Sequence, residues 1–187
     1  MKLVYKQLIA VFCFILFFSA IPVLAEDTTE ELAKASEAAC VATASTKPTP
    51  QMIMDKVEKA CALLQKEGVS AFSKLQGKDS EFIFAGTYIW IHDMSGVMRM
   101  HPIIYKLDGK NVLNLKDSNG KLFFTEMNEV AKTKGAGWVA YTWPKPGEKT
   151  SSPKISYVKL VKVGGEELVA GCGTWDLSQE QMQQLAK

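Results

Sequence analysis

Hydrophobic positions along the chain change their period several times, and each change predicts a different element. Behind Lys2 and Lys6, residues 8–25 form an almost unbroken apolar run that closes on Val23, Leu24 and Ala25. The run is short for a membrane span and ends in small residues suited to a signal peptidase. It therefore predicts a cleavable secretory leader over residues 1–25, cut after Ala25, with a single retained amino-terminal anchor as the alternative. Residues 28–46, "TTEELAKASEAACVATAST", are alanine-rich and place Thr28 and Glu31 at the spacing of a capping box, predicting a helix with a small, closely packing face. Thr49 and Pro50 supply an N-cap and a first-turn proline. Ile53, Val57, Cys61 and Leu64 then recur at helical spacing until Gly68. A second helix is expected over residues 50–67, with a short helical piece in "SAFSKLQG".

From Ser80 the period falls to two. "EFIFAGTYIWIHD" and "VMRMHP", joined by "DMSG", predict two neighbouring antiparallel strands. On an extended backbone Arg99 and His101 share one face, a candidate site, and Met98 and Met100 share the other, a candidate core. In "KDSNGKLFFTEMNEVAKTKGAG" a turn leads to a helix with Leu122, Phe123, Met127 and Val130 in register, stopped by Gly135 and Gly137. "GWVAYTWPKPG", "PKISYVKLVKVGG" and "ELVAGCGTWDL" read as three further strands. The last carries no charge between Glu167 and Asp176, as a central strand should, and a short polar helix follows from Ser178. The order predicts an α+β fold, an antiparallel five-stranded sheet packed by amino-terminal helices (residues 28–67), with the sheet in residues 82–176. One domain over residues 26–187 is the expectation at this length.

Composition narrows the function classes. Loss of the leader would remove Lys2 and Lys6 from the 22 basic side chains and leave 20 against 20 acidic ones, so no global field favours nucleic acid or an anionic membrane. No later segment is apolar for long enough to span a bilayer. Cys13 would leave with the leader. Of the remaining Cys40, Cys61 and Cys172, the first two lie on neighbouring predicted helices and form a disulfide candidate, with three separate buried thiols as the alternative.

The ordered blocks "YIWIHDMSGVMRMHP", "GKNVLNLKDSNGK", "GAGWVAYTWPKPG", "SPKISYVKLV" and "GCGTW" resemble the Cache sensor domains, specifically the single-Cache second type, over residues 56–177. The resemblance implies an extracytoplasmic module of PAS-like topology, with a small molecule held between one sheet face and its covering loops. It also implies a small organic acid or similar metabolite as ligand and a membrane receptor or sensor kinase as possible partner. The second membrane helix and output module usual in such proteins are missing from the pattern, and "KPTP" interrupts the amino-terminal helix.

Carried over residue by residue, the family pattern places Tyr88, Trp90, His101, Tyr141, Trp143, Lys154 and Tyr157 in or near the pocket. Alternation cannot turn both Lys154 and Tyr157 inward without a bend. Arg99, the only arginine of the chain, is a candidate clamp for a carboxylate, against the alternative of a solvated strand face. Trp138 and Trp175 are assigned to the core. No recognised metal-ligand spacing accompanies His92, Asp93 and His101, and no nucleophile motif is present, so no metal, cofactor or catalysis is expected. The expectation is a periplasmic or secreted ligand-binding domain without its own signalling output. The alternative is an exported interaction or structural protein that keeps the fold without a ligand.

Overall fold

The computed structural model describes residues 21–187, and side chains from Thr28 onwards. Most of the expected leader lies outside the described residues. Helix α1 (Ile21–Thr43) extends further towards the amino terminus than the capping pattern suggested, so Thr28 sits within the helix rather than capping it. Helix α2 (Pro50–Glu67) starts where expected. The Thr49 side chain accepts the Met52 backbone N–H, and the helix buries Ile53, Val57, Ala60, Cys61 and Leu64 along one stripe. A 3-10 turn follows over Gly68–Lys74. Among the described residues no helix is long and apolar enough to cross a membrane.

The strands are β1 (Ile83–Phe84), β2 (Thr87–Asp93), β3 (Met98–Met100), β4 (Ala136–Pro144), β5 (Ser151–Val163) and β6 (Glu166–Thr174). They pair antiparallel throughout in the order β1-β2-β6-β5-β4, with β3 also paired to β2. The described sheet thus has six strands, not the expected five. The long first strand is broken at Ala85 and Gly86, which adopt φ of 47° and 74° and fold β1 back onto β2. Helix α3 (Phe123–Lys134) lies between the β3 region and β4, and α4 (Gln179–Leu185) is capped by Ser178 and Gln181 in a reciprocal box.

Two cores result, one on each face of the sheet. Helix α2 and the 3-10 turn cover Ile89, Ile91, Val161, Leu168 and Cys172. Helix α3, with the carboxyl-terminal end of α1, covers Tyr88, Trp90, Val139, Tyr141 and Val158. Cys40 and Cys61 belong to opposite cores, and all three described cysteines are free thiols. The sheet therefore stands between the two members of the expected disulfide, which corrects that pairing.

A bulge changes the reading of "GVMRMHP". Ile91 pairs with Met100 but His92 pairs with Met98, so Arg99 is the extra residue. Met98 consequently packs in the α3-side core and Met100 in the α2-side core, although two residues apart. The shared faces expected from simple alternation are corrected accordingly: Arg99 and His101 part company.

Candidate functional site

The α3-side face of the sheet carries a box of aromatic rings around one buried amine. Lys154 stands on β5 opposite Tyr141 of β4 and is 1% exposed. Its Nζ lies 4.1 Å from the Trp175 ring centroid, 4.8 Å from Tyr88, 5.2 Å from Trp90 and 5.8 Å from Tyr141. Glycines in β6 make this arrangement possible. A Cβ at Gly171 would collide with the Trp90 indole, and one at Gly173 would meet Ser156, the Ile155 carbonyl and Lys154 Cε. The "GCG" triplet therefore hollows the centre of the sheet where the ring and the amine lie, as glycine does where another group approaches the backbone.

Further walls come from α3 and from the segment after β3. Phe123 stacks on Tyr141 with centroids 4.4 Å apart and planes 3° from parallel, and it touches Trp143 at 5.4 Å. The His101 ring lies 5.0 Å from Tyr88. His101 Nδ1 accepts the backbone N–H groups of Ile103 and Ile104, so its proton sits on Nε2. Burial, aided by the Lys154 charge, pushes the imidazole down to about 3 and keeps it neutral. The His101 backbone N–H donates to Asp108 Oδ1 at 2.8 Å, and burial lifts that carboxyl to about 6.

Trp90 is fixed from behind. Its Nε1–H donates to His92 Nδ1 at 3.3 Å, and His92 Nε2 is 2.9 Å from Asn128 Oδ1 on α3. The Asn128 amide nitrogen donates to the Asp93 and Met94 carbonyls, which leaves Oδ1 to accept from His92. Burial pushes His92 down to about 4. Both histidines are thus neutral hydrogen-bonding elements, and among the described residues no group of three or more His, Cys, Asp or Glu side chains converges as a metal site.

Of the eight residues proposed from the sequence, Tyr88, Trp90, His101, Tyr141, Trp143 and Lys154 gather on this face. Tyr157 does not. It points to the α2 side and meets Trp138 at 5.3 Å, the outcome that alternation from Lys154 requires. Arg99 is also elsewhere: displaced by the bulge, it pairs with Glu166 at 2.8 Å and Asp93 at 3.5 Å. Trp175 was assigned to the core, yet it makes the shortest approach to Lys154. Its Nε1–H donates to the Trp143 carbonyl at 2.8 Å, which turns the ring over the amine. Its parity with Gly171 and Gly173 was the available signal. Phe123 and Ser156 were not singled out either; Ser156 Oγ lies 3.0 Å from the Tyr141 hydroxyl.

Chemically, the box offers one amine and neutral donors. No carboxylate pairs with Lys154 among the described residues. Burial pulls its ammonium down to about 7 and raises the Tyr88 and Tyr141 phenols above their ordinary range. A surface cavity of about 370 Å³ adjoins the box and is lined by Cys40, Lys145, Gly147, Glu148, Trp175 and Asp176. A larger groove of about 830 Å³, between α1, α2 and residues 73–82, contains none of the proposed site residues.

Comparison with known proteins agrees with this architecture. Over 98 residues, 52% of this chain, the sequence is 38% identical to the methyl-accepting chemotaxis protein McpP of Pseudomonas putida, of whose length the match covers only 18%. The periplasmic sensor domain of a chemotaxis protein superposes with a TM-score of 0.50 and 26% identity, over 85% of this chain and 100% of that one. A Cache chemosensory domain studied for carboxylic acid recognition gives 0.49 and 27% over the same shares. The family model for the Cache domain matches residues 26–187, both helical layers and the whole sheet between them, and on that extent the chain belongs to the Cache domain family.

Proposed function

We propose that this Cache sensor domain is an extracytoplasmic receptor module that binds a short organic acid in the aromatic box, with Lys154 pairing its carboxylate. The carrying observation is Lys154 itself, an amine buried among four rings with no carboxylate partner among the described residues. Burying an unpaired charge is costly, and a carboxylate guest supplies the missing counter-charge. The Nε2–H of His101 adds a neutral donor, and the rings enclose a small aliphatic or keto group, the usual mixture of apolar wall and few polar anchors. In this reading the domain carries out no covalent chemistry. A membrane receptor or sensor kinase is the partner through which occupancy is read.

The test is calorimetric titration with sodium acetate and sodium propionate, alongside thermal unfolding. At a concentration 100 times Kd, a ligand specific for the native state stabilises it by about 2.7 kcal/mol, and unfolding shifts upward by several degrees. Lys154→Met keeps the volume and removes the charge. It is expected to abolish both signals while the protein still unfolds cooperatively. Absence of heat and of a thermal shift in the parent protein with both acids would remove the carboxylate reading.

A further inference from the structure

The charge surroundings of Lys154 carry a consequence for what the box takes up. Resting on the carboxylate reading above, we propose that the site binds a proton together with the carboxylate, so that its ligand is a weak acid taken as anion plus proton and its affinity falls in alkaline medium.

Every element around the amine presents an uncharged group. Strand β2 offers Tyr88 and Trp90, β4 offers Tyr141, and β5 offers the Ser156 hydroxyl next to Tyr141. Trp175 follows β6, and His101 follows β3 with its proton fixed on Nε2. The titratable groups that sense Lys154 from further off are Cys40 of α1 and Cys172 on the reverse face of β6, whose thiols burial pushes up to about 12 and about 11. The Asp108 carboxylate accepts the His101 backbone N–H and forms no ion pair with Lys154. Apart from the Asp108 carboxylate, which is held by the His101 backbone, none of these described groups is an anion near neutral pH. Ring faces replace part of the lost hydration through their quadrupoles, but no counter-charge among the described residues does so. In the ligand-free protein burial therefore pulls the ammonium from its ordinary 10.5 down to about 7, so that it releases its proton far more readily than a free lysine.

An arriving carboxylate reverses that balance. When the neutral amine meets the anion, Nζ takes one proton from solvent, and the product is an ammonium–carboxylate pair; no other bond forms or breaks. At a pH below the titration of the empty site the amine is already charged, and affinity is level. Above it each bound anion brings one proton, and affinity falls about tenfold per pH unit. At a fixed amount of total acid, occupancy then reports acidity as well as concentration.

The test uses the unaltered protein, titrated with sodium acetate and sodium propionate between about pH 6 and 9 in two buffers of different ionisation enthalpy, HEPES and Tris, at equal ionic strength. The expected result on the alkaline side is a difference in binding heat between the buffers equivalent to nearly one proton, with Kd rising about tenfold per pH unit. Equal heats and a flat Kd, with the acids still bound, would overturn proton uptake and leave the carboxylate reading standing. Failure of both acids to bind at about pH 6 would take both down. A ligand-free arm checks the same group. The folded value lies below the unfolded one, so the unfolded chain holds more protons between about 7 and 10.5, and stability rises with pH across that window. Lys154→Met is expected to lose that rise, and an identical rise in parent and variant would also overturn the proposal.

Discussion

The two faces of the sheet use the same strands for opposite purposes. Under α2 the buried residues are mainly aliphatic: Ile53, Val57 and Leu64 from the helix meet Ile89, Ile91 and Leu168 from the strands. On the α3 side the same strands present rings and buried polar atoms, with Lys154, His101, His92 and Ser156 all nearly inaccessible. The first face gains stability from apolar area at little polar cost, whereas the second spends some of that gain on groups that prefer water. A fold with only the first kind of face would have no reason to hold an amine inside. One with only the second would be hard to keep folded.

Substitution should separate the faces. Leu64→Ala, in the aliphatic core, is expected to destabilise by about 2–5 kcal/mol in denaturant unfolding while leaving acetate affinity unchanged. A large change in affinity there would mean that the faces are not independent. Gly173→Ala inserts a methyl group against Ser156, the Ile155 carbonyl and the Lys154 side chain. The expected outcome is a loss of about 1–3 kcal/mol together with loss of acid binding, because the strand and the amine must both shift. Normal binding by this variant would show that the box tolerates displacement of its amine. Arg99→Ala removes pairs with Glu166 and Asp93 at a partly exposed position outside both cores. Its cost in stability should stay below about 1 kcal/mol, with unchanged binding; weakened binding would bring the arginine back to the site.

Periodicity made most of this organisation legible. Thr49-Pro50 marked the start of α2 because a side-chain acceptor and a missing N–H act within one turn, and Ser178 marked that of α4 as a side-chain acceptor alone. Tyr88 and Trp90 fell on one face and Ile89 and Ile91 on the other because an uninterrupted strand alternates. Local pattern failed where geometry is set from a distance. The break at Ala85 and Gly86 depends on a positive φ that the neighbouring β-forming residues do not announce. The separation of Cys40 from Cys61 depends on which face each helix covers, and that is decided by strands far along the chain. Trp175 looked like core because its large apolar area suits burial. What makes it a wall of the box is the glycine parity of β6 and the hydrogen bond to the Trp143 carbonyl. Of the seven residues carried over from the resemblance to Cache domains, six share the α3-side face and Tyr157 lies on the other, while Arg99, chosen for its chemistry alone, is turned away by the bulge.

That bulge makes the length of β3 as much a determinant of the site as its side chains. Arg99 works as a spacer between Met100, committed to the α2 side, and Met98, committed to the α3 side. Its chemistry can be exchanged, but its place in the count cannot. A chain shortened by this one residue would have to turn Met98 or Met100 out of its core, or draw His101 away from Tyr88. An arginine that touches nothing in the box is in this sense part of its ruler.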